Sequence, residues 1–251
     1  MSSPVKITLR AGKEIPVLRF HPWVFSGAIA HIAGQPADGD IADVYDKKGN
    51  LLGTGHYHDG SIAVRLIAFG SADLTDPVFW QEKLGNALRA RLFAGRFNGA
   101  DSCYRLVHGE GDGLSGLVVD VYAHTAVVQC HSIGMHRQRF FITEALRRIL
   151  GENLRAVYDK SVESLPAKYA ETQKNGYLWS AGETPVDSAV VVENGARFRV
   201  DWVTGQKTGF FLDQRDNRQL LAQYAAGKSV LNAFCYTGGF SFHALKAGAT
   251  L

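Results

Sequence analysis

Lys228-Ser-Val-Leu-Asn-Ala-Phe-Cys-Tyr-Thr-Gly-Gly239 decides the fold class. It reads as a buried strand over residues 229–234, a glycine turn, and a helix opening near Phe240 and running to Lys246. Parallel α/β sheets build nucleotide-type cofactor sites from this unit. The glycines let a ligand approach the backbone, and the helix turns its first amides toward it. The dinucleotide spacing G-x-G-x-x-G is absent, since the turn runs Thr237-Gly-Gly-Phe-Ser241. That disfavours a nicotinamide dehydrogenase, which needs amides on a pyrophosphate. A single nucleoside-like cofactor such as S-adenosylmethionine fits better, with Asn232 at the strand end and Phe234 and Tyr236 nearby. An unliganded strand–helix turn is the plain alternative.

Working outward, Thr204-Gly-Gln-Lys-Thr-Gly-Phe-Phe-Leu-Asp-Gln-Arg-Asp-Asn-Arg218 lies just upstream and is dense in polar side chains. Phe210 can pack on an adenine edge. Gln206 and Arg215 can bond a carboxylate or a ribose, arginine with two parallel bonds. The alternative is a capped helix start with a salt-bridged surface. Leu220, Leu221, Tyr224 and Ala225 recur at helical spacing, with Asp213 or Asp216 near the start and Gly227 as a stop. Before this stretch, residues 196–203 alternate as a strand, with Phe198, Val200 and Trp202 on one face.

The bulk composition sets the limits. The 251 residues are 46% apolar and 20% charged, enough for ordinary globular cores and about two domains or a little more. A formal charge of +3 permits an RNA partner without demanding one. Cys103, Cys130 and Cys235 are odd in number and widely spaced, which argues against a disulfide framework and fits a reducing compartment. No cysteine pair has metal-ligand spacing; His56 and His58 alternate and would share a strand face, with polar or RNA-facing roles preferred over a metal. No stretch approaches the roughly 18 apolar residues of a membrane span. Met1-Ser-Ser-Pro-Val-Lys6 lacks the apolar core of a signal peptide. A soluble, cytoplasmic protein is expected.

Residues 1–72 predict a small β-barrel. Short strands at residues 6–10, 41–45, 51–56 and 62–69 are punctuated by turns such as Asp46-Lys-Lys-Gly-Asn50. It is either a compact β domain of no stated purpose or an RNA-binding barrel with Arg19, Trp23 and Phe25 near its working face. Residues 73–185 predict an α+β domain. Asp76 and Pro77 open a helix whose apolar face is Trp80, Leu84, Ala87, Leu88 and Leu92, with Arg89, Arg91 and Arg96 on or just beyond it. Strands at 103–107, 116–122 and 125–131 follow, the last two joined by the tight turn Ala123-His124. A helix with Phe141, Ala145, Leu146 and Ile149 on one side and Gly151 as its stop leads to a strand at 154–158. The loop His108-Gly-Glu-Gly-Asp-Gly-Leu-Ser-Gly116 carries acids that would repel phosphate and reads as a turn between strands. Residues 158–176 read as a connector.

Together, Gln206-Lys-Thr-Gly-Phe-Phe-Leu-Asp-Gln-Arg-Asp-Asn-Arg218 and Val230-Leu-Asn-Ala-Phe-Cys-Tyr-Thr-Gly-Gly-Phe-Ser241 resemble the bacterial large-subunit ribosomal RNA cytosine-5 methyltransferases. His21-Pro-Trp-Val-Phe-Ser-Gly-Ala-Ile29 and Arg105-Leu-Val-His-Gly-Glu-Gly-Asp-Gly-Leu-Ser-Gly-Leu-Val-Val-Asp120 extend the resemblance over essentially the whole chain. It implies a multidomain α/β protein: an N-terminal PUA-like RNA-binding barrel (1–72), a central α+β domain (73–185) and the start of a Rossmann-like, S-adenosylmethionine-dependent methyltransferase domain (186–251). It implies that Gln206, Thr208, Phe210 and Arg215 wrap the cofactor and that Asn232, Phe234, Tyr236, Thr237 and Gly238 lie under its methionine part. The implied partner is ribosomal RNA, with a homodimer left open and a membrane excluded.

In cytosine-5 chemistry a thiolate adds to C6 of the base, the methyl group enters at C5 and a base removes the C5 proton. The family's nucleophilic cysteine belongs to a later strand-end motif, so Cys235 is read as packing or as lining the cofactor. An acidic ribose ligand, an Asp-Pro-Pro-type segment and that cysteine are all missing before Leu251. The chain is therefore expected to be C-terminally truncated and inactive alone. The rival reading is a non-catalytic RNA-binding protein that uses the barrel and the central domain.

Overall fold

The computed structural model describes residues 4–95, 102–182 and 185–250. Arg96, placed by sequence just beyond the first long helix, lies outside the described residues. In chain order, β1 (Val5–Leu9), α1 (Ile15–Leu18), β2 (Trp23–Phe25), β3 (Ile29–Ile32), β4 (Ile41–Tyr45), β5 (Leu51–Tyr57) and β6 (Ile62–Phe69) form the first unit. Its six strands are ordered β2-β6-β5-β4-β1-β3, antiparallel except for the parallel pair β1–β4. Asp46 makes the β4–β5 turn by accepting from the amides of Lys48 and Asn50, the local side-chain bonding that makes aspartate a turn former. The core is the inward alternation of Ile7, Leu9, Val24, Ala42, Val44, Val64 and Leu66. Residues 16–20, although mostly apolar, form no strand. Pro16 sits in the first turn of α1, and Leu18 and Phe20 remain exposed.

The central unit starts with α2 (Pro77–Phe93), which opens as the sequence predicts. The Asp76 carboxylate accepts from the Val78 amide at 2.9 Å, and Pro77 occupies the first position, where no donor is lost. Trp80, Leu84 and Ala87 are buried on its inner face, but Leu92, expected there too, is exposed near the helix end. β7 (Cys103–His108), β8 (Leu117–Tyr122), β9 (Thr125–Cys130), α3 (Ile133–Arg137), α4 (Arg139–Leu150), β10 (Ala156–Asp159), α5 (Ala167–Ala170) and β11 (Gly176–Ser180) follow. The five strands are ordered β11-β10-β9-β8-β7, with β9–β10 parallel. β11 falls at the end of the stretch read as a connector. One face of this sheet packs against α2 and α4 through Leu84, Leu106, Val119, Val128, Ile142 and Leu146.

The other face is covered by a hairpin, β12 (Ser188–Glu193) and β13 (Ala196–Asp201). Val191, Phe198, Val200, Trp202 and Phe210 pack onto Cys103, Tyr122, Val127 and Tyr158. Tyr122 and Trp202 stack with ring centroids 6.3 Å apart. Then α6 (Arg215–Ala225) and α7 (Gly239–Lys246) pair through Ala225, Ala244 and Ala249. Arg218 of α6 reaches back to Glu193 of β12 with two bonds of 2.7 Å, both groups being buried. None of the helices formed by the described residues is long and apolar enough to cross a membrane.

The strand expected over residues 229–234 does not form. Among the described residues its one pairing is the bridge of Ser229 with Thr250, and the extended run is broken where Phe234 and Tyr236 turn left-handed at φ 58° and 47°. An apolar segment becomes a strand only where a neighbour satisfies its backbone, and Leu231 and Phe234 are left facing solvent.

The first and central units meet at a tight joint. A Cβ on Gly134 of α3 would stand 2.3 Å from the His56 ring, so only glycine admits the imidazole. His56 is buried, and neither of its ring nitrogens finds a hydrogen-bond partner among the described residues. Burial pushes its pKa down to about 4, with the Arg137 charge adding to the effect. Arg137 in turn bonds Asp40 at 2.9 Å across the joint.

Two tests follow from this packing. Removing one buried partner with Arg218→Met strands Glu193 and is expected to cost about 3–5 kcal/mol in urea unfolding, whereas Glu193→Leu with Arg218→Met recovers most of it. His56 stays neutral in the folded protein but protonates near its ordinary pKa of 6.5 when unfolded. Stability is therefore lost as pH falls from about 6.5 toward about 4. Melting temperatures across that window should fall less steeply for His56→Phe than for the wild type; equal slopes would refute the assignment.

Candidate functional site

The two motif stretches are brought together by Tyr236. Its hydroxyl accepts from the Gln206 amide at 2.9 Å and donates to the Gly209 carbonyl at 3.1 Å, while its ring meets Phe211 edge-on at 5.2 Å. Gln206 and Thr237 are exposed at this junction, and Asn232, half-buried, donates to the Ser241 hydroxyl at 2.8 Å. Gly238 takes φ 71°, a left-handed value that glycine adopts without strain, and nothing lies within 4 Å of where a Cβ would stand. The Gly238 turn is thus an open cradle before α7.

Residues 204–211 are positioned mainly from below, by the central sheet. Asp120 of β8 is fully buried and receives Arg105 of β7 with bonds of 2.8 and 2.9 Å. Its second oxygen also accepts a short bond from the Thr208 hydroxyl, which pairs with the Tyr122 hydroxyl at 2.9 Å. The bond to Asp120 holds the Arg105 guanidinium pKa above its ordinary value. The buried Lys160, just past β10, donates to the Gly205 carbonyl, and desolvation lowers its pKa. The Asp201 carboxylate closes the turn by accepting from the Val203 and Thr204 amides at 2.9 and 2.8 Å.

This geometry redistributes the residues named from sequence. Thr208 is buried with its hydroxyl committed to Asp120 and Tyr122, so it anchors the loop and presents nothing outward. Phe210 is buried too. Its ring lies 5.2 Å from Phe198 with the Arg218 guanidinium over it at 4.6 Å, so it is packing and offers no free face for stacking. Phe234 is fully exposed. Arg215 lines a cleft of about 480 Å³ with Arg91, Arg105, His108 and Asp213, a lining that does not include Gln206.

Cys235 is exposed, which removes the packing role considered for it. Cys103 and Cys130 are buried, and burial pushes the Cys103 thiol up to about 12 and the Cys130 thiol higher still. Sequence reasoning misses Asp120, Tyr122 and Lys160 as supports, because no local pattern marks contacts made across some 45 to 90 positions.

On the first unit, Trp23 and Phe25 share an aromatic shelf with His21, at centroid separations of 5.8 to 6.4 Å. Trp23 and Phe25 also line a concavity beside Lys13, Pro16 and Gly27, a lining that leaves out Arg19, which stands exposed at the end of α1. The Trp23 indole donates to Glu110 at 2.9 Å, so the 108–116 turn ties the two units together besides joining strands. His58 lies just past β5 and pairs with Asp38 at 3.2 Å, while His56 is buried in the joint. The described residues hold no cluster able to take a metal ion.

Thr208→Val should remove both hydroxyl bonds under the loop and cost about 1–3 kcal/mol in urea unfolding, with Thr208→Ser close to wild type. Equal stability of all three proteins would show that the hydroxyl anchors nothing.

Comparison with known proteins matches this architecture. The model of the PUA-like domain matches residues 7–69, and that of the S-adenosylmethionine-dependent methyltransferase family matches residues 125–251, half of the chain. Among curated relatives, a protein of Aeromonas hydrophila named Ribosomal RNA large subunit methyltransferase I is 41% identical over 245 residues, covering 97% of this chain and 60% of its own length. One of the same name from Escherichia coli O157:H7 is 37% identical over 98% of this chain and 61% of its length. The chain thus spans about 60% of the length of the curated relatives it matches. A putative S-adenosylmethionine-dependent methyltransferase from Streptococcus mutans superposes with a TM-score of 0.78 at 25% identity, over 97% of this chain and 61% of that one. A putative methyltransferase solved in complex with SAH gives a TM-score of 0.79 at 25% identity, over 97% of this chain and 60% of that one. The chain carries a PUA-like domain and belongs to the S-adenosylmethionine-dependent methyltransferase family.

Proposed function

We propose that the junction of residues 204–211 with residues 232–239 holds S-adenosylmethionine, and that the chain serves methyl transfer to C5 of a cytosine in ribosomal RNA. The observation that carries this reading is the Tyr236 hydroxyl, which fastens the two motif stretches together beside the open Gly238 cradle. Bound S-adenosylmethionine would supply an electrophilic methyl group. The chain's own part is to bind and orient. Gln206, Asn232 and Thr237 offer hydrogen bonds, Gly238 gives the backbone room, and α7 adds its first amides. Phe210 and Thr208 hold the loop in place from behind. Arg215 reaches the cofactor only if its cleft connects with the junction, so Gln206 ranks ahead of it.

Residues 1–72 serve RNA binding, residues 73–185 brace the loop, and residues 186–251 contribute the cofactor junction. With Cys103 and Cys130 buried and held as thiols, neither serves as the cytosine-attacking thiolate. The names of the relatives, all methyltransferases of large-subunit ribosomal RNA, favour this reading over a non-catalytic RNA-binding protein.

Calorimetry with S-adenosylmethionine tests the site. Gln206→Ala and Asn232→Ala should each weaken binding about tenfold, near the net worth of one lost hydrogen bond; absence of binding by the wild-type chain, or unchanged binding by both variants, overturns the placement. For the C5 assignment, RNA tritiated at cytosine C5 should lose its label to water as the methyl group enters. Retained label with methylation would place the methyl group elsewhere.

A further inference from the structure

All three parts of the chain meet along one seam. β2 and β6 pair Trp23 with Arg65, which places a cation next to the aromatic shelf of the first unit. Trp23 bonds Glu110 and Ser115 and so carries that edge onto the 108–116 turn. At the end of the turn the Gly116 carbonyl accepts from the amide of His131, whose side chain is exposed. On the far side Lys160 clamps Gly205, and Lys207 follows two residues later, exposed and with a left-handed backbone at φ 54°. Partial desolvation first, and then the Lys207 charge, keep His131 below the ordinary imidazole pKa, with Arg105 and Arg65 adding to the effect and Glu110 opposing it. Arg65 and Lys207 make no close ion pair among the described residues, although the Glu110 carboxylate acts on the Arg65 charge from beside Trp23; Arg91, Arg105 and Arg137, by contrast, are paired directly with Asp112, Asp120 and Asp40.

A shelf of rings followed by cations that make no close ion pair is the chemistry that holds single-stranded nucleic acid. Bases stack on the rings irrespective of sequence, and cations follow the phosphates. Resting on the reading that the chain acts on RNA, we propose that this seam is the track of the substrate strand: its bases lie on the His21–Phe25 shelf and its phosphates pass Arg65 and Lys207 to reach the 204–211 loop. The track thereby uses a residue of the cofactor-motif loop itself, so the RNA and the methyl donor meet at one short segment.

The chain has a second basic and aromatic patch, at the end of α4, where Arg147, Arg148 and Arg155 surround Trp179. There Glu144 bonds both Arg147 and Arg148, which leaves little free charge. It serves as the internal control.

The test is fluorescence anisotropy of the whole chain with a labelled, unstructured pyrimidine-rich ribo-oligonucleotide over a series of KCl concentrations. Arg65→Gln and Lys207→Gln should each weaken binding about fivefold and flatten the log–log salt dependence by about 0.7 for each phosphate left without its cation. Arg155→Gln should change neither, and Arg65→Gln should bind S-adenosylmethionine as the wild type does. Tight RNA binding unchanged by both seam variants, or weakened only by Arg155→Gln, overturns the track. A duplex of the same sequence bound as tightly overturns the single-strand assignment. Failure of the wild-type chain to bind any RNA removes the RNA reading itself, a result separate from the other two.

Discussion

The Asp120 carboxylate is the constraint on which the rest of the site depends. A fully buried charge must be paired and hydrogen-bonded or the fold loses several kcal/mol, roughly the penalty of one stranded ion. Asp120 is satisfied by Arg105 from the neighbouring strand and by Thr208 from a loop 88 positions away. Once β7 and β8 are in register, the place of Thr208 follows, and with it the carbonyls of Gly205 and Gly209 and the amide of Gln206. The 204–211 loop is therefore held by the central sheet as much as by the helices that follow it.

Apolar packing reinforces that electrostatic tie. The β12–β13 hairpin lies on the same face of the sheet, and the Tyr122–Trp202 stack sits directly beside the Tyr122–Thr208 bond. From the hairpin Glu193 reaches Arg218, whose guanidinium also covers the Phe210 ring, so α6 is fixed by charge and dispersion at one point. Residues after α6 are less embraced. Among the described residues the 229–238 segment is tied by Tyr236, by the Asn232–Ser241 bond and by one bridge, and it exposes Leu231 and Phe234.

The sequence is legible where the signal is local. Asp76 and Pro77 start α2, Ala123-His124 turns β8 into β9, and Gly151 ends α4, all within a few residues of where spacing puts them. β12 escapes the reading of strands although Asn194-Gly195, both left-handed at φ 49° and 72°, is the strongest short hairpin signal there is. The β-branched run Val190-Val191-Val192 stands beside it. The expectation of a strand at 229–234 fails because an apolar run states what a segment would bury and is silent on which backbone will pair with it. In the site, residue type foretells chemistry but not direction. Thr208 and Phe210 have the right groups for a ligand and turn them inward, because a distant carboxylate and a buried arginine claim them first.

The contact of His56 with Gly134 bears on the geometry of the proposed RNA track. An imidazole seated where no other side chain would leave room keeps the first sheet from swivelling against α3, and the Arg137–Asp40 and Trp23–Glu110 bonds flank it on either side. The arrangement is a calliper with its screw tightened: the span from the aromatic shelf to the 204–211 loop is a fixed length of the fold. On the proposed track, an RNA strand that reaches both ends would bend to that length, and its fit would be decided by the shape it can take before any base is read.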